Sequence, residues 1–180
     1  MNNTTIQPTR AAVPPYRLAV LLRLQLLLEE ICKADGDLYD MQGHVHINRL
    51  LFGAEVQQAH EATLSIIEAP RPDFATFAGD GDSRADRWTL MIQGTVPDDK
   101  SVDTEYLPYY FCQDVEKRLL RITEVKGSGS PKYPNDYRLG DMISSVEVAP
   151  PVVRPPEAQV SSHAFFYLPI RLGIAVEIGQ

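Results

Sequence analysis

Two histidines, His44 and His46, are the first residues of this 180-residue chain whose types and spacing could do chemistry. In an extended segment, residues two apart share a face, so both imidazoles can reach one cation. A metal-dependent active site needs a third ligand, from His60, His163 or an acid, and no motif brings one near. Asp80, Asp82 and Asp86 carry only part of a calcium loop, because the ordered acids, central glycine and terminal glutamate of an EF-hand are absent. Nucleophilic catalysis has no better footing. There is no G-x-S-x-G, and neither Cys32 nor Cys112 sits beside a plausible base. The stretch Gly127-Ser128-Gly129 lacks the Lys-Ser/Thr ending of a phosphate-binding loop, and no G-x-G-x-x-G follows a strand. The other paired carboxylates fall in turns, where water keeps their pKa values ordinary. The expectation is therefore no catalytic residue, no cofactor and no metal site. A small metal-dependent enzyme using His44 and His46 is the outlying alternative.

The elements that would have to position such groups form one domain. Residues 16–33 read as a helix in which Leu21, Leu24, Leu28 and Ile31 make one stripe. Leu18, Val20, Leu22, Leu26 and Leu27 spread the apolar surface most of the way round it, so sheet, second helix or another subunit must cover several sides. Glu29 and Lys33 are spaced for an i,i+4 pair. Segments 44–52 and 63–69 read as strands, and 72–86 as an exposed loop. Strand 88–96 follows, with Trp88, Leu90, Ile92, Gly94 and Val96 on one face and Thr89, Met91, Gln93 and Thr95 on the other. Pro97, Asp98 and Asp99 end it. A second helix over 107–122 carries the stripe Phe111, Val115, Leu119 and Ile122, with Pro108 in its first turn and Asp114 spaced to pair with Arg118. Residues 125–141 read as a long, polar, mobile connection. Strand 142–148 comes next, then a proline-rich connector held in polyproline geometry.

The last element, 164–178, alternates strictly: Ala164, Phe166, Leu168, Ile170, Leu172, Ile174, Val176 and Ile178 share one face. At about 3.3 Å per residue it spans roughly 50 Å, two to three times a usual strand of ~17–20 Å. Pro169 has no N–H to give, which predicts a bend or bulge there and an open edge in one half. The strand pairs either within its own domain or with a neighbouring protomer. Two helices and about five strands make an α+β single domain, one mixed or antiparallel sheet with both helices on one face. Residues 1–15 read as an extended N-terminal arm and 16–180 as the domain.

Composition narrows the function classes. Hydrophobic residues are 44 % and charged residues 23 %, both ordinary for a globular protein. No apolar run reaches the roughly 18–20 residues of a membrane span, so a soluble protein is expected. Both cysteines read as small apolar core residues, one on each helix, in a reducing compartment. A formal charge of −7 argues against tight binding to free nucleic acid, which needs clustered Lys and Arg. The acids Asp80, Asp82, Asp86, Asp98, Asp99, Asp103 and Glu105 cluster in what read as two solvated loops.

The stretch 87–122 resembles the tail terminator and tail completion proteins of long-tailed bacteriophages. There, a strand of the form W-x-L-x-I-Q-G-x-V-x-D-D runs through a polar turn into a helix containing D-V-x-x-x-L. The matching residues here are Trp88, Leu90, Ile92, Gln93, Gly94, Val96, Asp98 and Asp99, then Asp114, Val115 and Leu119. About a fifth of the chain matches closely, and the rest agrees in the order of elements. The long proline-rich connector at 149–157 departs from the family pattern. What the resemblance implies is a structural virion protein, assembled in the host cytoplasm and located in the tail or neck. Such proteins form a ring, commonly a hexamer, that caps the tail tube, stops its polymerisation and docks the head–tail connector. On that expectation Leu22, Leu26, Phe165, Tyr167 and Arg171 are candidate subunit-interface residues. Asp80, Asp82, Asp86, Asp98 and Asp99 are candidates for an acidic lumen or docking loops, since an acidic lining lets DNA pass without sticking. Another head–tail connector or neck component is the nearest alternative.

Overall fold

A computed structural model describes residues 13–51, 61–68, 83–97, 105–156 and 163–177, and at 83–86 and 175–177 the backbone alone. In chain order its elements are α1 (Tyr16–Glu29), a 3-10 turn (Lys33–Asp35), β1 (Val45–Ile47), β2 (Thr63–Glu68), β3 (Ser83–Val96), α2 (Leu107–Leu120), α3 (Arg138–Asp141), β4 (Ser145–Val148), β5 (Val152–Arg154) and β6 (Ala164–Glu177). They build one open mixed sheet in the order β1-β2-β3-β6-β4, with β5 also beside β6. Only the β1–β2 pair is parallel among these. The expected α+β class holds, with a sixth strand in place of the connector.

Alternation along β3 and β6 decides where the core lies. The two strands pair without interruption from Ser83–Glu177 to Val96–Ala164, so Trp88, Leu90 and Ile92 share a face with Leu172, Ile170 and Leu168. All six are buried in one apolar cluster together with Leu24, Leu28, Val115 and Leu119 of the two helices. Arg17 of α1 stacks on Trp88, and Phe111 of α2 meets Phe166 edge-on at 5.4 Å. Both helices therefore cover the same face, as expected. Gly94 is needed in this layer because a Cβ there would lie 2.1 Å from the Phe166 ring.

The strand break expected in β6 occurs in its partner. Pro169 sits inside an unbroken β6, opposite Met91. Val148 faces Ile170 whereas Val152 faces Tyr167, so four steps along the edge match three along β6. The extra residue is a bulge at Ala149-Pro150-Pro151, where Ala149 N–H still donates to the Pro169 carbonyl. A residue's N–H and C=O point to the same side of a strand, so the hydrogen bond Pro169 cannot make falls at the gap between β4 and β5. The proline-rich stretch is thus an edge strand instead of a polyproline connector.

Other expectations are corrected by packing. Helix α1 stops at Glu29, four residues early, and Cys32 lies beyond it in extended backbone. Glu29 accepts from Gln25 instead of pairing with Lys33, which belongs to the 3-10 turn. β1 covers only Val45–Ile47, because Asn48 takes a left-handed φ of 54° and bonds Glu68. β3 begins at Ser83, inside the expected loop. The connection after α2 is a hydrogen-bonded structure. It contains a hairpin closed by Val125 and Pro131, then a turn in which Arg138, Leu139, Gly140 and Asp141 all have positive φ. That left-handed turn costs about 1–2 kcal/mol per non-glycine residue. Burial of Leu139 and anchoring to α1 offset it: Tyr16 OH donates to the Met142 carbonyl, and Arg23 Nη2 donates to the Asn135 carbonyl at 2.6 Å.

Candidate functional site

Leu22 and Leu26, the helical half of the expected interface, are exposed. Leu22 and Leu26 lie on the outer face of α1, opposite the buried Val20, Leu24, Leu27 and Leu28, and Leu18 extends the row by one turn. Exposure in this row runs from 38 % for Leu22 to 53 % for Leu26. Spacing of four residues sets the three leucines on one ridge about 12 Å long, at 1.5 Å per residue.

The strand half lies on the other side of the molecule. Phe165 and Tyr167 are half-buried and Arg171 is exposed, all on the sheet face that carries no helix. Cross-strand partners share a face, so Val152 and Arg154 stand beside Tyr167 and Phe165, and Glu147 stands beside Arg171. Arg171 reaches Glu147 at 3.6 Å, a surface pair worth roughly 0–1 kcal/mol. Part of this face is already covered by the chain itself: Leu51 lies over Gln93, the cross-strand neighbour of Tyr167, and both Leu51 and Gln93 are buried. Asp80, Asp82, Asp98 and Asp99 lie outside the described residues. Asp86 belongs to β3, opposite Ile174, which places its backbone in the sheet and not in a loop.

Among the described residues the histidine pair gains no third ligand, and His60 lies outside them. His44 Nε2 lies 3.3 Å from a carboxylate oxygen of Glu61. Partial burial lowers the pKa of His46, helped by the positive charge of Arg49 and of His44, with Glu29 opposing. Among the described residues, no group of three or more His, Cys, Asp or Glu is placed to hold a metal ion. Cys112 is buried, which pushes its thiol up to about 12, so it is held as the neutral thiol.

What residue spacing did not reveal is a charge network where the two helices end. Asp114 pairs with Lys117 at 2.9 Å, not with Arg118, and accepts from the Leu38 N–H. Arg118, 4 % exposed, donates through Nη2 to the Glu30 carbonyl at the α1 C-cap and lies near the carboxylates of Glu30, Asp35 and Asp37. A guanidinium there satisfies carbonyls that a helix end leaves without partners and opposes its negative dipole. A cleft of about 570 Å³ opens alongside, lined in part by Asp37, Lys117, Arg121 and Tyr133. Arg121 stacks on Tyr133 and reaches Glu30 at 4.0 Å. With its ionised groups engaged with one another, this region joins α1 to α2. The acid-rich 35–37 turn was the available signal, but the partner is about eighty residues distant in sequence, as in the Arg118–Asp37 contact.

Among the described residues no helix is long and apolar enough to cross a membrane. No protein-family model matches the chain, and no curated protein matches it.

Proposed function

We propose that this chain is a structural part of a long-tailed phage particle, a tail terminator. Its copies close into a ring, commonly a hexamer in that family, which caps the tail tube, ends its polymerisation and presents a docking surface to the head connector. The observation that carries the assembly reading is the exposed ridge Leu18, Leu22 and Leu26 on a helix whose other side is fully engaged in the core. A contiguous apolar row left in water marks a surface that a partner covers. The phage assignment rests on the resemblance of 87–122 and on the order of helices and strands. DNA passes through such a ring without specific binding, which suits a chain of net charge −7.

Negative-stain imaging of the purified protein, alone and with purified tail tubes, tests the reading. The expected result is rings that sit on tube ends and stop further addition of tube subunits. Rings that bind connector but ignore tubes would make it another neck component. A monomer indifferent to both would end the proposal.

A further inference from the structure

We infer that copies of this chain associate head to tail, the α1 leucine ridge of one packing on the helix-free face of the β6 sheet of the next. The inference rests on the assembly reading above and names its contact.

Three features of the structure point to this pairing. The first is position. The ridge faces away from the sheet, whereas Phe165, Tyr167 and Val152 lie on the sheet face turned away from both helices. Two different patches on opposite sides of a two-layer domain suit a heterologous contact, the kind a closed ring requires. A two-fold contact would need one patch that fits itself.

The second is charge. Although the chain is acidic overall, this sheet face exposes Arg87, Arg154 and Arg171 around an apolar centre, with Glu147 as the acid beside Arg171. The ridge ends at Glu29 and Glu30, of which Glu30 is already held by Arg118 and Arg121. Docking therefore brings Glu29 to a basic rim, which favours this partner and register over others.

The third is that the edges at β1 and at β4–β5 resist strand addition. On the β1 side the strand has three residues, and Gln25 Nε2 already donates to the Val45 carbonyl at 2.7 Å. On the other side, the bulge at Pro150 and Pro151 interrupts the edge and Pro155 and Pro156 follow β5. Short strands, bulges and prolines are how proteins protect sheet edges. The faces remain.

Two variants test the contact. A ridge variant carries Leu22→Asp and Leu26→Asp, and a sheet-face variant carries Val152→Asp and Arg171→Glu. All four positions are exposed, so each variant should keep the wild-type circular dichroism spectrum. By size-exclusion chromatography with light scattering, wild type is expected to assemble and each variant alone to run as a monomer. Mixed in equal amounts, the variants should form a 1:1 heterodimer, because one intact ridge meets one intact sheet face and the chain of contacts stops there. Assembly of either variant alone, absence of the heterodimer or a monomeric wild type would each overturn the contact. Variants that still form tube-capping rings would overturn the contact and leave the proposed function standing. Wild-type rings that follow the mixing pattern but leave tubes uncapped would do the reverse.

Discussion

The side-chain amide of Gln93 meets the backbone of Leu51 as a neighbouring strand would. Leu51 N–H donates to Gln93 Oε1 at 3.0 Å, and Gln93 Nε2 donates to the Leu51 carbonyl at 2.8 Å. Both residues are buried, so one glutamine satisfies two backbone groups that have left the sheet ladder. This pair holds the segment after β1 over the face opposite the helices.

Replacing Gln93 by Ala removes both partners at once. Each buried group left without a hydrogen bond costs about 1–3 kcal/mol, so urea unfolding of Gln93→Ala should show a loss of roughly 2–6 kcal/mol. Gln93→Glu keeps an acceptor for Leu51 N–H but, when ionised, has no donor for the carbonyl. It should lose stability at neutral pH and recover part of it in acid. A loss no greater than that of a surface substitution would show that the pair is dispensable.

Arg118 is the hub where both helices end. Arg118→Met keeps most of the apolar stem but strands the Glu30 carbonyl and the nearby carboxylate of Asp37. Glu30 and Asp35 are about half exposed, so water takes over part of what Arg118 supplied, and a loss of about 1–3 kcal/mol is expected in chemical denaturation. Lys117, more than half exposed, touches the same network from its rim. Lys117→Ala should cost no more than about 1 kcal/mol. Equal losses for the two would sink the hub assignment.

Gly94 and Phe166 form a coupled pair across β3 and β6. Gly94→Ala drives a methyl group into the ring, and overpacking of this kind typically costs about 1–3 kcal/mol. In a double-mutant cycle with Phe166→Leu, the alanine should be tolerated better once the ring is gone. Additive losses would mean that the glycine is required for another reason.

His46 gives the fold a defined pH response. Its folded-state pKa lies below the ordinary value of about 6.5, because burial and nearby positive charge disfavour the imidazolium. The unfolded chain therefore takes up the proton first. The contribution of neutral His46 is complete above about pH 6.5 and is lost as pH falls through the lowered folded value. Urea midpoints between neutral pH and pH 5 should fall less steeply for His46→Gln than for wild type. Identical slopes would remove His46 from the acid response.

Hydrophobic spacing by itself determined the two helices, β2, the core faces of β3 and β6, and the single-sheet class. Burial follows a period that successive residues carry, so Trp88, Leu90, Ile92, Phe111, Val115, Phe166 and Leu168 were legible without coordinates. The outward leucines Leu22 and Leu26 were legible too, as apolar residues in excess of what one helix stripe needs. Only the tertiary structure decided which residues meet across long stretches of chain: Arg118 with Glu30 and Asp37, Gln93 with Leu51, and the Pro150-Pro151 bulge opposite Pro169. In the first two a polar or backbone group is satisfied by a partner 42 or more residues away, and in the third the N–H that proline lacks falls where the facing edge is interrupted. Such choices depend on how the layers pack, and local spacing carries no record of them.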